Sequence, residues 1–157
     1  MYLLHRETTT KIPRTISPIA TKSLKKELKK GRFSFDWLDV EGDIYGLYID
    51  ENSQLLGLMS LIDMPHEYRI ELKLVELSKE NVGQNKRYDR TAGCLIAYAC
   101  YIAFVKSYGG FVSLIPKTVL ISLYRDKYGF QQFGRELGSL SENSKLLINK
   151  YLTNENA

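Results

Sequence analysis

The residues of this chain with the clearest chemical potential lie between Tyr68 and Phe130. An apolar strand, Ile70 to Leu77, runs through a polar and basic loop, Ser78 to Arg90, into a helix that begins at Thr91. A basic turn at a helix N-terminus offers bare backbone N–H groups and a favourable dipole to an anion, so the arrangement suits a phosphate-bearing ligand. The same strand carries two carboxylates. Glu76 falls in phase with Ile70, Leu72 and Leu74, so a regular strand would point it to the apolar side. Either a bulge turns it outward, or it is a partly buried carboxylate with a raised pKa, suited to a general base. Glu71 lies on the other phase with Lys73 and is the second candidate. The plain reading of each is a surface or salt-bridged glutamate.

Other chemistries have little to work with. His5 and His66 are the two histidines, and no Cys-x-x-Cys occurs, so a metal site would need scattered carboxylates. There is no nucleophile-elbow signature and no Gly-x-x-x-x-Gly-Lys phosphate loop. Cys94 and Cys100 lie six apart on one predicted helix. That is about 9 Å along the axis and on different faces, which rules out a disulfide between them. Both read as reduced core thiols of a cytoplasmic protein.

The elements that must position these groups follow from composition and pattern. At 157 residues the chain reads as one domain, with 44% apolar and 25% charged residues. A net charge of +4 and an isoelectric point near 9.0 suit an anionic partner, which basicity alone does not narrow to nucleic acid or a phosphorylated cofactor. No secretory leader is recognisable, and the uncharged stretch Thr91 to Val105 is shorter than the roughly 18 residues a membrane span requires. The chain therefore reads as soluble, with no membrane partner.

Residues 1–14 are polar and Thr-rich and read as a loosely held arm. Ile16 to Ala20 reads as a short strand, and Thr21 as the N-cap of a helix over Lys22 to Lys30 that Gly31 stops. Lys25, Lys26, Lys29 and Lys30 make that helix basic; a solvated face is the plain reading, a nucleic-acid patch the sharper one. Phe33, Phe35 and Trp37 alternate with Ser34 and Asp36, which places three aromatics on one side of an extended segment, as core packing. Asp43 to Asp50 and Gln54 to Asp63 read as a hairpin around Glu51-Asn52-Ser53. The helix 91–106 is apolar on every face, as for one laid on a sheet and covered from above. A strand over Gly110 to Pro116, a helix 118–128, a strand near Phe130 to Phe133 and a helix 140–152 opened by the capping box Ser139-Leu140-Ser141-Glu142 complete the order. The class is α/β with a mixed sheet.

The second half resembles the GNAT superfamily of acetyl-CoA-dependent N-acetyltransferases. Arg87-Tyr88-Asp89-Arg90-Thr91-Ala92, followed by Gly93, matches that family's pyrophosphate-binding loop at Arg87 and Ala92, while Arg90 stands in place of the middle glycine. Leu120 to Phe130 is similar to the family's helix that ends in Tyr, Lys and Gly-Phe, with one residue more between the tyrosine and Gly-Phe. More narrowly, Phe35-Asp36-Trp37, Leu95 to Cys100 and Lys117 to Ile121 resemble small bacterial GNAT proteins. The likeness covers roughly residues 14–152.

The resemblance implies a single domain with a central, mostly antiparallel sheet flanked by helices. It also implies acetyl transfer from acetyl-CoA to a primary amine by direct attack, without a metal. Val75 and Leu77 would meet the pantetheine arm, and Arg87, Tyr88, Arg90, Thr91, Ala92 and Gly93 the pyrophosphate. Lys117 would sit near the thioester or the acceptor. Arg90 would either obstruct the phosphates or fold back and pair with them. Tyr124 would protonate the departing thiolate, with Tyr128 as the alternative, and Glu76 or Glu71 would take the amine proton. Two other readings fit: a toxin-like GNAT acting on aminoacyl-tRNA, which the basic balance favours, and a non-catalytic module, which Arg90 favours. Neither the acceptor nor the oligomeric state, a dimer being one option, is written in these residues.

Overall fold

A computed structural model describes residues 2–5, 11–82, 88–116 and 121–153. In chain order these form β1 (Tyr2–His5), β2 (Lys11–Pro18), α1 (Thr21–Leu28), β3 (Asp43–Ile49), β4 (Leu55–Met64), β5 (Arg69–Leu77) and β6 (Tyr88–Asp89). Then come α2 (Thr91–Val105), β7 (Val112–Leu114), β8 (Gln131–Phe133), β9 (Glu136–Ser139) and α3 (Ser141–Ile148). The described strands make one nine-stranded sheet in the order β6-β1-β2-β3-β4-β5-β7-β9-β8. Among the described residues only β5 and β7 run parallel; every other pairing is antiparallel.

The hairpin forms where turn chemistry placed it. Ser53 takes a left-handed φ of 58°, its N–H donates to the Ile49 carbonyl at 2.8 Å, and the Asn52 side chain accepts from the Gln54 N–H at 2.9 Å. The first residues depart from the expected loose arm: residues 2–5 and 11–14 lie in strands, and Leu3 is fully buried. A Thr-rich composition concealed the apolar run Tyr2-Leu3-Leu4, which pairs with β2 on one side and with β6 on the other.

Both faces of the sheet are covered. On one, α2 and α3 pack over Leu56, Met59, Ile70 and Leu72, and α2 buries Leu95, Ile96 and Cys100 there. The uniformly apolar α2 is thus satisfied by sheet below and α3 above. On the other face α1 and the segment after it close over Leu55 and Leu58 through Leu24, Phe33 and Trp37. Phe33 and Trp37 are core as expected, whereas Phe35 is 44% exposed. Its segment is not a strand and turns into a 3-10 helix at Trp37–Asp39, so a two-residue period does not govern it.

The decisive irregularity is in β5. Leu61 pairs with Leu72 and Ser60 with Leu74, leaving Lys73 as an extra residue, a β-bulge. Ile70 and Leu72 therefore face α2, but past Lys73 it is Val75 and Leu77 that do. Leu74 turns to the core under α1 instead.

Several element ends differ from expectation. Thr21 is the first residue of α1 and not its cap: the N-cap is Ala20, with no side-chain cap bond, and the helix ends at Leu28. Ser139 ends β9 and does not cap α3: the N-cap is Leu140, and the Ser139 hydroxyl hydrogen-bonds that of Ser144 at 2.7 Å inside the core. The last helix also changes pitch, becoming a π-helix over Asn149–Thr153.

Candidate active site

The helix α2 begins without a side-chain cap and with no acidic residue in its first turn. Its first N–H groups have no partner within the helix, which is what makes such a terminus attractive to anions. They open into a cavity of about 250 Å³ whose walls include Leu77, Tyr88, Arg90, Thr91, Ala92 and Gly93. Six of the residues assigned to the cofactor from sequence thus line one cavity. Lys127, Lys150, Tyr128 and Tyr151 line it too, and none of these was assigned to the cofactor from sequence. Arg87 and Lys117 lie outside the described residues.

Arg90 stands at the helix start with φ 79° and ψ 0°, the left-handed conformation for which glycine is favoured. Its side chain lines the cavity and is engaged within the protein. The guanidinium lies 4.3 Å from the Tyr2 ring centroid and 5.0 Å from that of Tyr151, and Nη2 donates to the Lys150 carbonyl at 2.6 Å. Arg90 is a clamp that ties β1 and the C-terminal π-helix to the loop. Gly93 serves the same junction, since a Cβ there would come within 2.3 Å of the Tyr151 ring. Underneath, buried Arg14 donates to Cys94 Sγ and to the Tyr151 carbonyl, each at 3.2 Å.

A prediction follows from the clamp. Arg90→Ala should cost about 1–2 kcal/mol through lost ring and carbonyl contacts. Arg90→Gly should recover about 1 kcal/mol of that by relieving the left-handed backbone. Equal thermal shifts for the two variants would show that backbone strain plays no part.

Asn81, fully buried, shapes the loop from within: Nδ2 donates to Thr91 Oγ1 and Oδ1 accepts from the Tyr88 N–H, both at 2.7 Å. Sequence reasoning passed over it, because a lone Asn in a polar loop has no periodic partner. The Thr91 hydroxyl oxygen accepts this bond, so the donors the residue keeps are its hydroxyl proton and its backbone N–H.

The second half of the site is a cleft. β5 and β7 pair only at Ile70↔Val112 and Glu71↔Ser113, and beyond that vertex they part. A cavity of about 260 Å³ lies between them, lined by Leu72 to Val75, Leu114 to Pro116, Phe35 and Tyr124. Glu71 sits at the vertex, 9% exposed, and its carboxylate has no hydrogen-bond or ion-pair partner among the described residues. Tyr124 reaches the cleft from a π-helix over Leu123–Lys127. A π turn holds one residue more than an α turn. That accounts for the extra residue before Gly129-Phe130, whose Phe130 N–H donates back to the Tyr124 carbonyl at 3.0 Å.

The two tyrosines have different places. Tyr124 is half-buried at the cleft and Tyr128 is 4% exposed in the core beside Tyr151. Burial raises the pKa of both phenols.

Glu76 matches neither of its two alternatives in full: a bulge does turn it off the α2 face, but to the covered side rather than outward. The bulge at Lys73 turns it to the α1 side, where its carboxylate accepts from the Ser34 N–H (2.7 Å), the Phe35 N–H (3.2 Å) and Trp37 Nε1 (2.8 Å). It is not among the residues lining the cleft; it holds in place the segment that carries Phe35.

Among the described residues no group of three or more His, Cys, Asp or Glu is placed to hold a metal ion. No described helix is long and apolar enough to cross a membrane.

No protein-family model and no curated protein matches the sequence. Solved structures do match. A spermidine N-acetyltransferase SpeG chimera from Vibrio cholerae and hSSAT superposes with a TM-score of 0.61 at 15% identity, covering 84% of this chain and 98% of that one. A point mutant of the AtaT toxin, bound to the C-terminus of the antitoxin AtaR and acetyl-CoA, gives 0.52 at 14% identity over 86% and 98%. AtaT complexed with acetyl-methionyl-tRNAfMet gives 0.52 at 12% identity over 87% and 99%. The chain has the fold of the GNAT acetyltransferases.

Proposed function

We propose that this GNAT-fold chain is an N-acetyltransferase that uses acetyl-CoA to acetylate a primary amine by direct attack. The observation that carries the reading is that two separate cavities are reached from one face of a single strand. Leu77 lines the anion-binding cavity and Val75, two residues earlier on the same face of β5, lines the cleft. A phosphate held at the α2 N-terminus and a group lying in the cleft are thus joined along about 7 Å of strand.

Acetyl-CoA supplies an activated thioester to the cleft. The residues of this chain do the rest. The α2 N–H groups, with Arg90, Lys127 and Lys150 against the single lining carboxylate of Asp89, offer a net positive field to the pyrophosphate. Beyond the vertex, backbone groups of Leu72 to Val75 have no strand partner on that side among the described residues, and would be available to the pantetheine arm and the carbonyl. Glu71, at the vertex but not among the residues lining the cleft, would take the proton of the attacking amine through water. Tyr124, which lines the cleft, would donate a proton to the departing sulfur.

Calorimetric titration with acetyl-CoA, paired with thermal unfolding, tests the reading. Saturable heat and a raised midpoint are expected. Neither signal at millimolar ligand would overturn it and favour a non-catalytic module. The lysine-rich α1 also suits an aminoacyl-tRNA acceptor. Salt-sensitive tRNA binding, lost when Lys25, Lys26, Lys29 and Lys30 become glutamine, is the result that would establish that acceptor.

A further inference from the structure

A second groove adjoins the cleft. It has a volume of about 450 Å³ and lies between α1 and the segment 33–38. Phe35 lines both the groove and the cleft, so it forms the partition between them. The floor is apolar, made by Leu28, Phe33, Phe35 and Leu38, and Phe35 and Leu38 stay 44% and 45% exposed. The rim carries Lys25 and Lys29, neither of which has an ion-pair partner among the described residues.

The acids of this region are engaged elsewhere. Glu27 pairs with Lys30 and Arg32, Glu80 pairs with Arg32, and Glu76 is bound to three N–H donors. Asp36 is the exception: it is the single carboxylate lining the groove, where it stands against two lysines. Two ammonium groups over an exposed aromatic and aliphatic floor are complementary to an amphipathic anion.

We propose that this groove selects the acceptor: a small primary amine with an aromatic or aliphatic body and a carboxylate or phosphate at its far end. The body crosses Phe35 with the amine in the cleft and the anionic group between Lys25 and Lys29. The inference rests on the acetyl-transfer reading and adds a substrate class to it. A polyamine is disfavoured by the same field. Glu76 acquires a role as a positioning residue, because its hydrogen bonds to the Ser34 and Phe35 N–H groups set the partition.

The test compares acetylation of 4-(aminomethyl)benzoate, tyramine O-phosphate, benzylamine and spermidine by the full chain, read as thiol release and by mass. The first two should exceed benzylamine in kcat/KM by about three- to tenfold, as expected of two solvent-exposed charge contacts. Whichever of the two is preferred identifies the anionic group. In the Lys25→Gln, Lys29→Gln double variant, the ratio of either anionic amine to benzylamine should fall toward one. Spermidine as the best acceptor, or a ratio that the double variant leaves unmoved, would overturn the inference while leaving acetyl transfer intact. So would acetylation of aminoacyl-tRNA with none of these amines turned over. If acetyl-CoA does not bind at all, the acetyl-transfer reading falls. The groove is then judged by NMR titration of 4-(aminomethyl)benzoate into the free chain, with binding lost in the double variant supporting it and no binding overturning it.

Discussion

Tyr124→Phe is expected to lower kcat for acetyl transfer by about 100-fold, the lower end of what a positioned general acid contributes, while acetyl-CoA affinity stays within about twofold. The argument is one of place. Tyr124 lines the cleft between β5 and β7, whereas the neighbouring phenol, Tyr128, packs beside Tyr151 at the other cavity and does not line the cleft. Removing one oxygen leaves the ring packed on Phe130, 5.6 Å between centroids, so the fold should not suffer. Burial also raises the Tyr124 pKa above the usual phenol range. A proton donor must be protonated to act, and a raised pKa keeps it so to higher pH. The wild-type kcat should therefore show no descending alkaline limb below about pH 10, the ordinary phenol value. Steady-state kinetics across pH with any accepted amine would check both statements. Unaltered kcat in the variant would remove Tyr124 from the chemistry.

Glu76→Ala is expected to destabilise the chain by about 3 kcal/mol, since it strips a charged acceptor from three N–H donors at once. One of those donors is the indole of Trp37, which is fully buried. Left unpaired, it bears a desolvation cost as well as a lost bond. Glu76→Gln, which keeps one carbonyl acceptor, should cost less, about 1–2 kcal/mol. Chemical denaturation of both variants reads these values. A general base would behave in the opposite way: Glu76→Gln would fold with nearly full stability and lose turnover. The same pair of substitutions at Glu71 provides the contrast, with turnover expected to fall and stability to hold.

The difference between those two glutamates shows what could be read in the chain and what could not. Hydrophobic period placed β5 within one residue, and the basic loop and apolar helix after it were plain. The side on which Glu76 ends was not, because it depends on whether Lys73 is accommodated as a bulge. That is settled by the register of β4 against β5, a contact between strands distant in sequence. Phe35 failed for a related reason: alternation of residue types implies alternation of faces only in a strand, and the segment is held by side-chain bonds from β5.

Arg90 teaches the converse. As a residue in a motif it offered two outcomes, obstruction or phosphate pairing. Its partners, Tyr2 and Tyr151, come from the two ends of the chain, which no local pattern connects. Lys127 and Lys150 reach the same cavity by the same long-range packing. The one-residue excess before Gly129-Phe130 was visible in the sequence, but its absorption into a π turn required the backbone.

The class of fold, the order of most elements and the helix start with a basic loop before it were legible in the chain alone. Those properties are local: periodicity, turn residues and the dipole of one helix act over a few positions. Which side chains line the cleft, which of two tyrosines does so, and what Arg90 contacts depend on the packed molecule. Each of these is set by strand register or by packing between segments far apart in the chain, where free energy depends on partners that proximity in sequence does not supply.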